Sequence, residues 1–439
     1  MKKIDNIVIG AGIAGLSLGY FLQKKNLRFK IFESKNTVGG NINSSINKDF
    51  LCENGPNTVL LNNQIFEELI KDLGLSSDIL YSNKSSNQRY IIKGQKMVLV
   101  PNSFISFLKT ELISKFEKLK ILKDLFVKND YRDISVEEFI TKRFGKGFHD
   151  NLIEPFLKGI YAGNTKKMSS KYSLKKFWDF QLKYKSIIIG FLFSSTKYKS
   201  KIIYFKNGFS QLIKSLKETI DQNIKLKTKI ESVEKKEDYY IVKTCKNEEY
   251  ICEKIYFALP AYSISKIKFL NIKVPRFDDV TYNPIDVIHL GFRKEDANSK
   301  IKGFGALTRK IDKKNFLGIL FNSEIFPNIC SSKNHLITVL VGGDDQNEII
   351  KTPAEKSLEE IKNEMSNIFD IKKFLFEKHF RWENGVPSFD LKHEDLIREI
   401  NDLRKIEPSL HFAGNFINGV SVGECILKSY DCIYNDYAL

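Results

Sequence analysis

The sequence predicts an α/β fold in which a dinucleotide-binding unit is interleaved with a mixed-sheet domain and a helical insertion. Three features carry that reading. A glycine fingerprint, Gly10-Ala11-Gly12-Ile13-Ala14-Gly15, lies near the N-terminus, Glu33 follows it at the distance of a ribose-binding acid, and Ala413-Gly414-Asn415 forms a second glycine turn at the far end of the chain. Two such segments, so far apart, require the chain to fold back on itself and enclose one ligand.

Ile4 to Ile9 is an apolar run suited to a buried strand, and Ala14 to Lys24 reads as a helix rich in Leu, Tyr and Phe. Between them the glycines have separate jobs: a tight turn, close approach of backbone to a pyrophosphate, and helix-strand packing, with helix N-terminal N–H groups facing the phosphates. Leu27 to Phe32 is the next strand, and Glu33 at its end can accept hydrogen bonds from ribose hydroxyls. The unit is Rossmann-like, and its acid disfavours the 2′-phosphate of NADP.

The residues beyond Glu33 favour a flavin over a nicotinamide. Val38-Gly39-Gly40 lets a second backbone stretch come close, and Glu53-Asn54-Gly55-Pro56-Asn57 is a further tight loop. At the other end His411-Phe412-Ala413 reads as a strand entering Gly414-Asn415, and Val420-Ser421-Val422-Gly423-Glu424 as a helix start. The partly positive N-terminus of that helix would stabilise charge near N1 and O2 of a reduced flavin. FAD is the expected cofactor.

The chain of 439 residues, 42% hydrophobic, can bury a core divided among two or three domains. Lys and Arg number 70 against 53 Asp and Glu, a formal charge of +17, yet only 10 of the 70 are Arg. Scarce Arg and the lack of a basic-aromatic module speak against nucleic acid, while an anionic membrane surface suits surplus Lys. The 6 Cys and 6 His are dispersed without CxxC spacing or clustering, so neither a metal site nor a redox pair is expected. Ile187 to Phe193, the longest apolar stretch outside the fingerprint, is too short to span a bilayer.

Phe104 to Val127 sets apolar residues at mostly helical spacing among Lys109, Lys115, Lys118, Lys120 and Lys123, and Ser135-Val136-Glu137-Glu138 has the form of a helix start. Two roles fit this helical, basic insertion: a cap on the protein's own core, or shallow insertion into a membrane interface. Strands are expected at Ile230 to Val233, Tyr239 to Thr244 and Tyr250 to Ala258. A second strand-rich block contains Val287 to Phe292, Phe316 to Phe321 and Leu336 to Val341, with helices at 353–369 and 391–405.

Over nearly its whole length the chain resembles the oxygen-dependent protoporphyrinogen oxidases, within the wider amine oxidase-like flavoproteins. The segments that carry this are Gly10 to Gly15 with Glu33, Glu53-Asn54-Gly55-Pro56, Gln88-Arg89-Tyr90-Ile91, Pro155 to Asn164, Phe205 to Leu212, Arg381-Trp382 with Val386-Pro387, and Ala413-Gly414-Asn415 through Gly423. Asn41 departs from the Arg that many relatives carry after the paired glycines, and Asn207 from the more usual Gly.

The resemblance implies FAD-dependent, six-electron oxidation of protoporphyrinogen IX to protoporphyrin IX in haem biosynthesis, with oxygen as acceptor. Coproporphyrinogen III, or another substrate of the wider superfamily, is the alternative. FAD would be held by Gly10, Gly12, Ile13, Ala14, Gly15, Glu33, Ser34, Gly39, Gly40, Gly55, Pro56, Asn57, Gly414, Asn415, Val420, Ser421 and Val422. Leu307, Leu320 and Leu340 would pack on the macrocycle, Gly159 would lie beside it and Arg89 would hold a propionate; no side chain is expected to act as catalytic acid or base. The implied division is an FAD-binding domain (1–84, 203–262, 405–439), a substrate-binding domain (85–103, 263–404) and a membrane-binding insertion (104–202). A cytoplasmic protein on the inner face of the membrane is expected, with a metal chelatase and a second copy of the chain as partners.

Overall fold

The computed structural model describes residues 1–128, 131–194, 200–297, 301–343, 351–417 and 419–435. Of the expected insertion, 129–130 and 195–199 lie outside these residues, as do 436–439 of the expected FAD-binding domain.

Short apolar segments form a five-stranded parallel sheet in the order Ile224–Lys225, Phe29–Phe32, Asn6–Ile9, Lys254–Phe257, Leu410–Phe412. From Asn6–Ile9 the chain builds first to one side and later to the other. That reversal opens a crevice beyond the carboxyl ends of the strands, where Gly10, Glu33, Ala258 and Ala413 follow directly. Val8, Ile31 and Tyr256 face helices Ile13–Lys24 and Val422–Tyr434, whereas Ile7, Phe32, Ile255 and Phe257 face a second sheet of five strands. Both faces are covered, as a parallel sheet requires.

Tyr250 to Ala258, expected as one strand, is two. Glu249–Cys252 belongs to the second sheet and Lys254–Phe257 to the parallel one. The chain crosses at Glu253, where the N–H groups of Glu253 and Lys254 both donate to the Asp5 carbonyl at 3.0 Å. Burial of both halves hides the crossing in the sequence.

A seven-stranded mixed sheet runs Phe376–Pro387, Tyr282–Arg293, Asn334–Gly342, Gly318–Leu320, Gly305–Thr308, Arg89–Lys93, Lys96–Leu99. One face, with Ile288, Leu290, Ile337 and Val339, packs on Ile361, Met365 and Phe369 of helix Ala354–Phe369. Its other face turns toward the loop after Phe50–Glu53.

The helical stripe from Phe104 to Val127 is broken into helices Phe104–Lys109 and Lys115–Lys120 and a 3-10 turn Ile121–Leu125. The break has a packing cause: the consecutive Leu112 and Ile113 both bury against Ile91 and Leu307, which an extended link allows. A buried network fixes the remainder, with Asp124 accepting from Arg143 Nη1 at 2.6 Å, Ser186 Oγ at 2.6 Å and the Ile188 N–H at 2.9 Å. Outside this staple the apolar residues point to solvent: Phe126 is 84% exposed, Phe104 75%, Leu192 75% and Phe193 72%.

Candidate functional site

At the glycine edge, packing fixes two of the three fingerprint glycines. Gly10 has φ +103°, and a β-carbon on it would lie 2.4 Å from the Ala258 oxygen; one on Gly15 would lie 1.9 Å from the Gly10 oxygen. Gly12 is under no such constraint from protein atoms. Helix Ile13–Lys24 begins here without a side-chain cap or an acid in its first turn, so no side chain satisfies its first N–H groups. This is a cradle suited to a pyrophosphate.

Glu33 ties the cradle to the neighbouring strand. One carboxylate oxygen accepts from the Ala11 N–H at 2.8 Å, the other from the Lys35 N–H at 2.8 Å and the Ser34 hydroxyl at 3.2 Å. The Gly39 N–H donates to the Ala11 carbonyl at 2.8 Å, bringing Gly39 and Gly40 alongside. Gly55 then meets this stretch, since its β-carbon would be 1.9 Å from the Asn41 oxygen.

The loop from Glu53 to Asn57 joins the glycine edge to the seven-stranded sheet. His289 Nε2 donates to the Glu53 carbonyl at 3.0 Å, Trp382 Nε1 to the Asn54 carbonyl at 2.6 Å, and Asn322 Nδ2 to Asn57 Oδ1 at 3.1 Å; Pro56 lies between these anchors. The Glu53 carboxyl accepts from the Tyr204 hydroxyl at 2.7 Å and the Phe209 N–H at 2.9 Å. Burial nevertheless outweighs these donors and pushes its pKa up to about 7. Burial likewise holds His289 down to about 4, so its imidazole is neutral.

The expected substrate residues share one face of that sheet. Cross-strand partners form one row, Arg89, Gly305, Leu320, Thr338, His289, and a second, Ile91, Leu307, Gly318, Leu340, Val287, two positions along each strand. Directly opposed residues, and residues two apart, point the same way. Arg89, Leu307, Leu320 and Leu340 therefore line the face on which the Glu53 to Asn57 loop rests. Helix Glu154–Tyr161 crosses it, with Gly159 so close that an added β-carbon would be 2.5 Å from Leu307 Cδ2. The Arg89 guanidinium lies 4.9 Å from the Phe304 ring centroid, and among the described residues no carboxylate pairs with it.

Gly414 is brought to the same edge, its missing β-carbon 3.3 Å from the Leu259 oxygen, and Asn415 follows it. Ser421 caps helix Val422–Tyr434 in a reciprocal box with Glu424, after Val420. The Glu424 carboxylate offsets part of the positive charge that the sequence assigns to this terminus. Sequence reasoning missed His289 and Thr338, although each is a polar residue inside an apolar strand run, which signals a buried polar partner.

The chain matches the family described as flavin containing amine oxidoreductase over residues 13–430. It is 25% identical to protoporphyrinogen oxidase 2, chloroplastic/mitochondrial, of Arabidopsis thaliana, covering 95% of this chain and 91% of that one. It is 26% identical to coproporphyrinogen III oxidase of Staphylococcus aureus, covering 96% of each. A solved structure from Exiguobacterium shares the fold with TM-score 0.83 over 98% of both chains at 20% identity, and reduced UDP-galactopyranose mutase does so with TM-score 0.76 at 12% identity, over 98% of this chain and 94% of the other.

Proposed function

The chain belongs to the flavin containing amine oxidoreductase family, and from that premise we propose that it oxidises protoporphyrinogen IX to protoporphyrin IX with FAD as cofactor and oxygen as acceptor. The observation that carries this is the leucine face beside the cradle: a broad apolar surface with one unpaired cation, Arg89, among its described residues. A porphyrinogen is an apolar macrocycle with carboxylate tails, and the face has that chemistry.

The space beside Gly12, the bare helix N-terminus and the fixed Glu33 fit the pyrophosphate and ribose of FAD. Gly39, Gly40 and Gly55 to Asn57 would hold it from one side, Gly414, Asn415 and Val420 to Val422 from the other. When bound, FAD supplies the two-electron acceptor that each methylene oxidation requires. The protein's own residues bind, orient and exclude water: Leu307, Leu320 and Leu340 pack on the rings, Gly159 keeps the opposite wall close, and Arg89 holds a propionate through charge-assisted hydrogen bonds. His289, neutral and engaged by Glu53, is a brace for the loop rather than a base.

The relatives' names divide between protoporphyrinogen and coproporphyrinogen oxidation. Arg89, the one cation without a carboxylate partner among the described residues of this face, favours the substrate with fewer carboxylates. No helix of the described residues is long and apolar enough to cross a membrane; peripheral attachment through the exposed apolar residues of the insertion is part of the proposal. Turnover of each porphyrinogen by the purified protein, measured side by side, is the test. A preference for coproporphyrinogen III would replace the substrate, and bound FAD unreduced by either would replace the reaction.

A further inference from the structure

Three leucines are the accessible members of otherwise buried strands. Leu307, Leu320 and Leu340 are each half-buried, whereas Ala306, Thr308, Ile319, Val339 and Val341 beside them are buried. Leu307 differs from the other two in being boxed. A β-carbon added to Gly159 of helix Glu154–Tyr161 would lie 2.5 Å from its Cδ2, and one added to Gly318, its cross-strand partner, 2.9 Å from the same atom. That methyl therefore rests in a notch between two glycines of different elements. Ile91, Leu112 and Ile113 pack on Leu307 and close a further side.

Neither glycine has a left-handed backbone, so conformation does not call for glycine at either position. Outside the helix itself, the three atoms nearest a β-carbon on Gly159 all belong to Leu307; for Gly318 the Ala306 oxygen follows at 3.0 Å. What the two positions share is room for the Leu307 side chain. With the helix, the neighbouring strand and the Ile91 cluster on three sides, the direction left to Leu307 is the accessible side of the face.

Resting on the porphyrinogen reading above, we propose that Gly318 is a specificity-determining residue: the side chain it lacks lets Leu307 withdraw into the notch, and this sets the depth of the space open to the macrocycle. A porphyrinogen, with saturated bridging carbons, is puckered and needs that depth. Its planar oxidation product needs less. A β-carbon at position 318 would push Leu307 outward, into space that the ligand must share. The cost then falls on the complex, and more on the thicker ligand than on the flat one.

Gly318→Ala tests this in the FAD-loaded protein. Melting temperature and flavin spectrum should match the parent, KM for the porphyrinogen should rise roughly five- to fiftyfold with kcat within about twofold, and Kd for the planar porphyrin should change by less than about twofold. In a Leu307→Val background, where Cδ2 is gone, Gly318→Ala should leave KM unchanged. The proposal is overturned by an unchanged KM in Gly318→Ala, by equal weakening of porphyrinogen and porphyrin, or by the same rise in KM in both backgrounds. A lower melting temperature or loss of FAD overturns it as well, since the contact with Ala306 would then have moved the strand. A parent protein that oxidises neither porphyrinogen refutes the function itself and is read before the variants are made.

Discussion

The Cα of Gly40 lies against the bare side of Gly12: a β-carbon built on Gly12 would sit 3.9 Å from it and within 4 Å of nothing else. Protein atoms therefore do not explain why a glycine stands there, and a pyrophosphate held as proposed would. Gly12→Val is expected to give a folded protein without FAD. Gly15→Val should instead fail to fold well, since its β-carbon would collide with the Gly10 oxygen at 1.9 Å. Flavin absorbance per chain and melting temperature, measured on both variants, separate the two outcomes; a yellow Gly12→Val protein would move the pyrophosphate elsewhere.

Arg89→Ala should raise KM far more than it lowers kcat, because a remote carboxylate is held equally in ground and transition states. Loss of a charged hydrogen bond is worth ~1.5 to 3 kcal/mol, about one to two decades in KM. Arg89→Lys should recover part of this, lacking only the paired geometry of the guanidinium. Kinetics unchanged in Arg89→Ala would return the residue to an ordinary surface role.

The cradle was legible in the sequence because it is local: the turn from Gly10 to Gly15, its helix and Glu33 follow one another within one βαβ unit. The leucine face was not legible from pattern alone. Leu307, Leu320 and Leu340 come from three strands, and only the registers of Leu307 with Gly318 and of Gly318 with Leu340 align them. Strand Phe376–Pro387 escaped for a related reason: it shows no apolar alternation, because Arg381 faces the buried Asp286 with contacts of 2.8 and 2.7 Å, and its place is set by pairing with Tyr282–Arg293.

Stability should fall steeply below pH 6.5. Burial lowers His289, His335 and His393 to about 4 and His411 to about 3, so each is neutral in the fold and takes up a proton on unfolding between its folded value and 6.5. Their contribution is complete above 6.5 and lost as pH falls toward 4. Glu53, raised to about 7, acts in the opposite sense, its share being lost as pH rises from its ordinary value toward 7. Four groups outweigh one. Urea midpoints from pH 8 to about 4.5 should drop on the acid side, and Glu53→Gln should steepen that drop; a flat profile would mean the imidazoles gain water or partners in the fold.

Attachment to a membrane should depend on the apolar residues that the insertion holds outward. Phe126, Leu192 and Phe193 are 84%, 75% and 72% exposed, while the pair Asp124 and Arg143 behind them is buried and keeps their backbone in place. Inserted side chains add a salt-independent term, and each Lys near an anionic surface adds about 1 kcal/mol that salt weakens. Co-sedimentation with anionic vesicles should therefore decrease at high salt without vanishing. Replacing Phe126, Leu192 and Phe193 together by Ser should release the protein with FAD still bound, because these side chains lie largely outside the core. If the parent protein remains in the supernatant at low salt, the exposed rim does not bind lipid and the insertion serves only to close the substrate cavity.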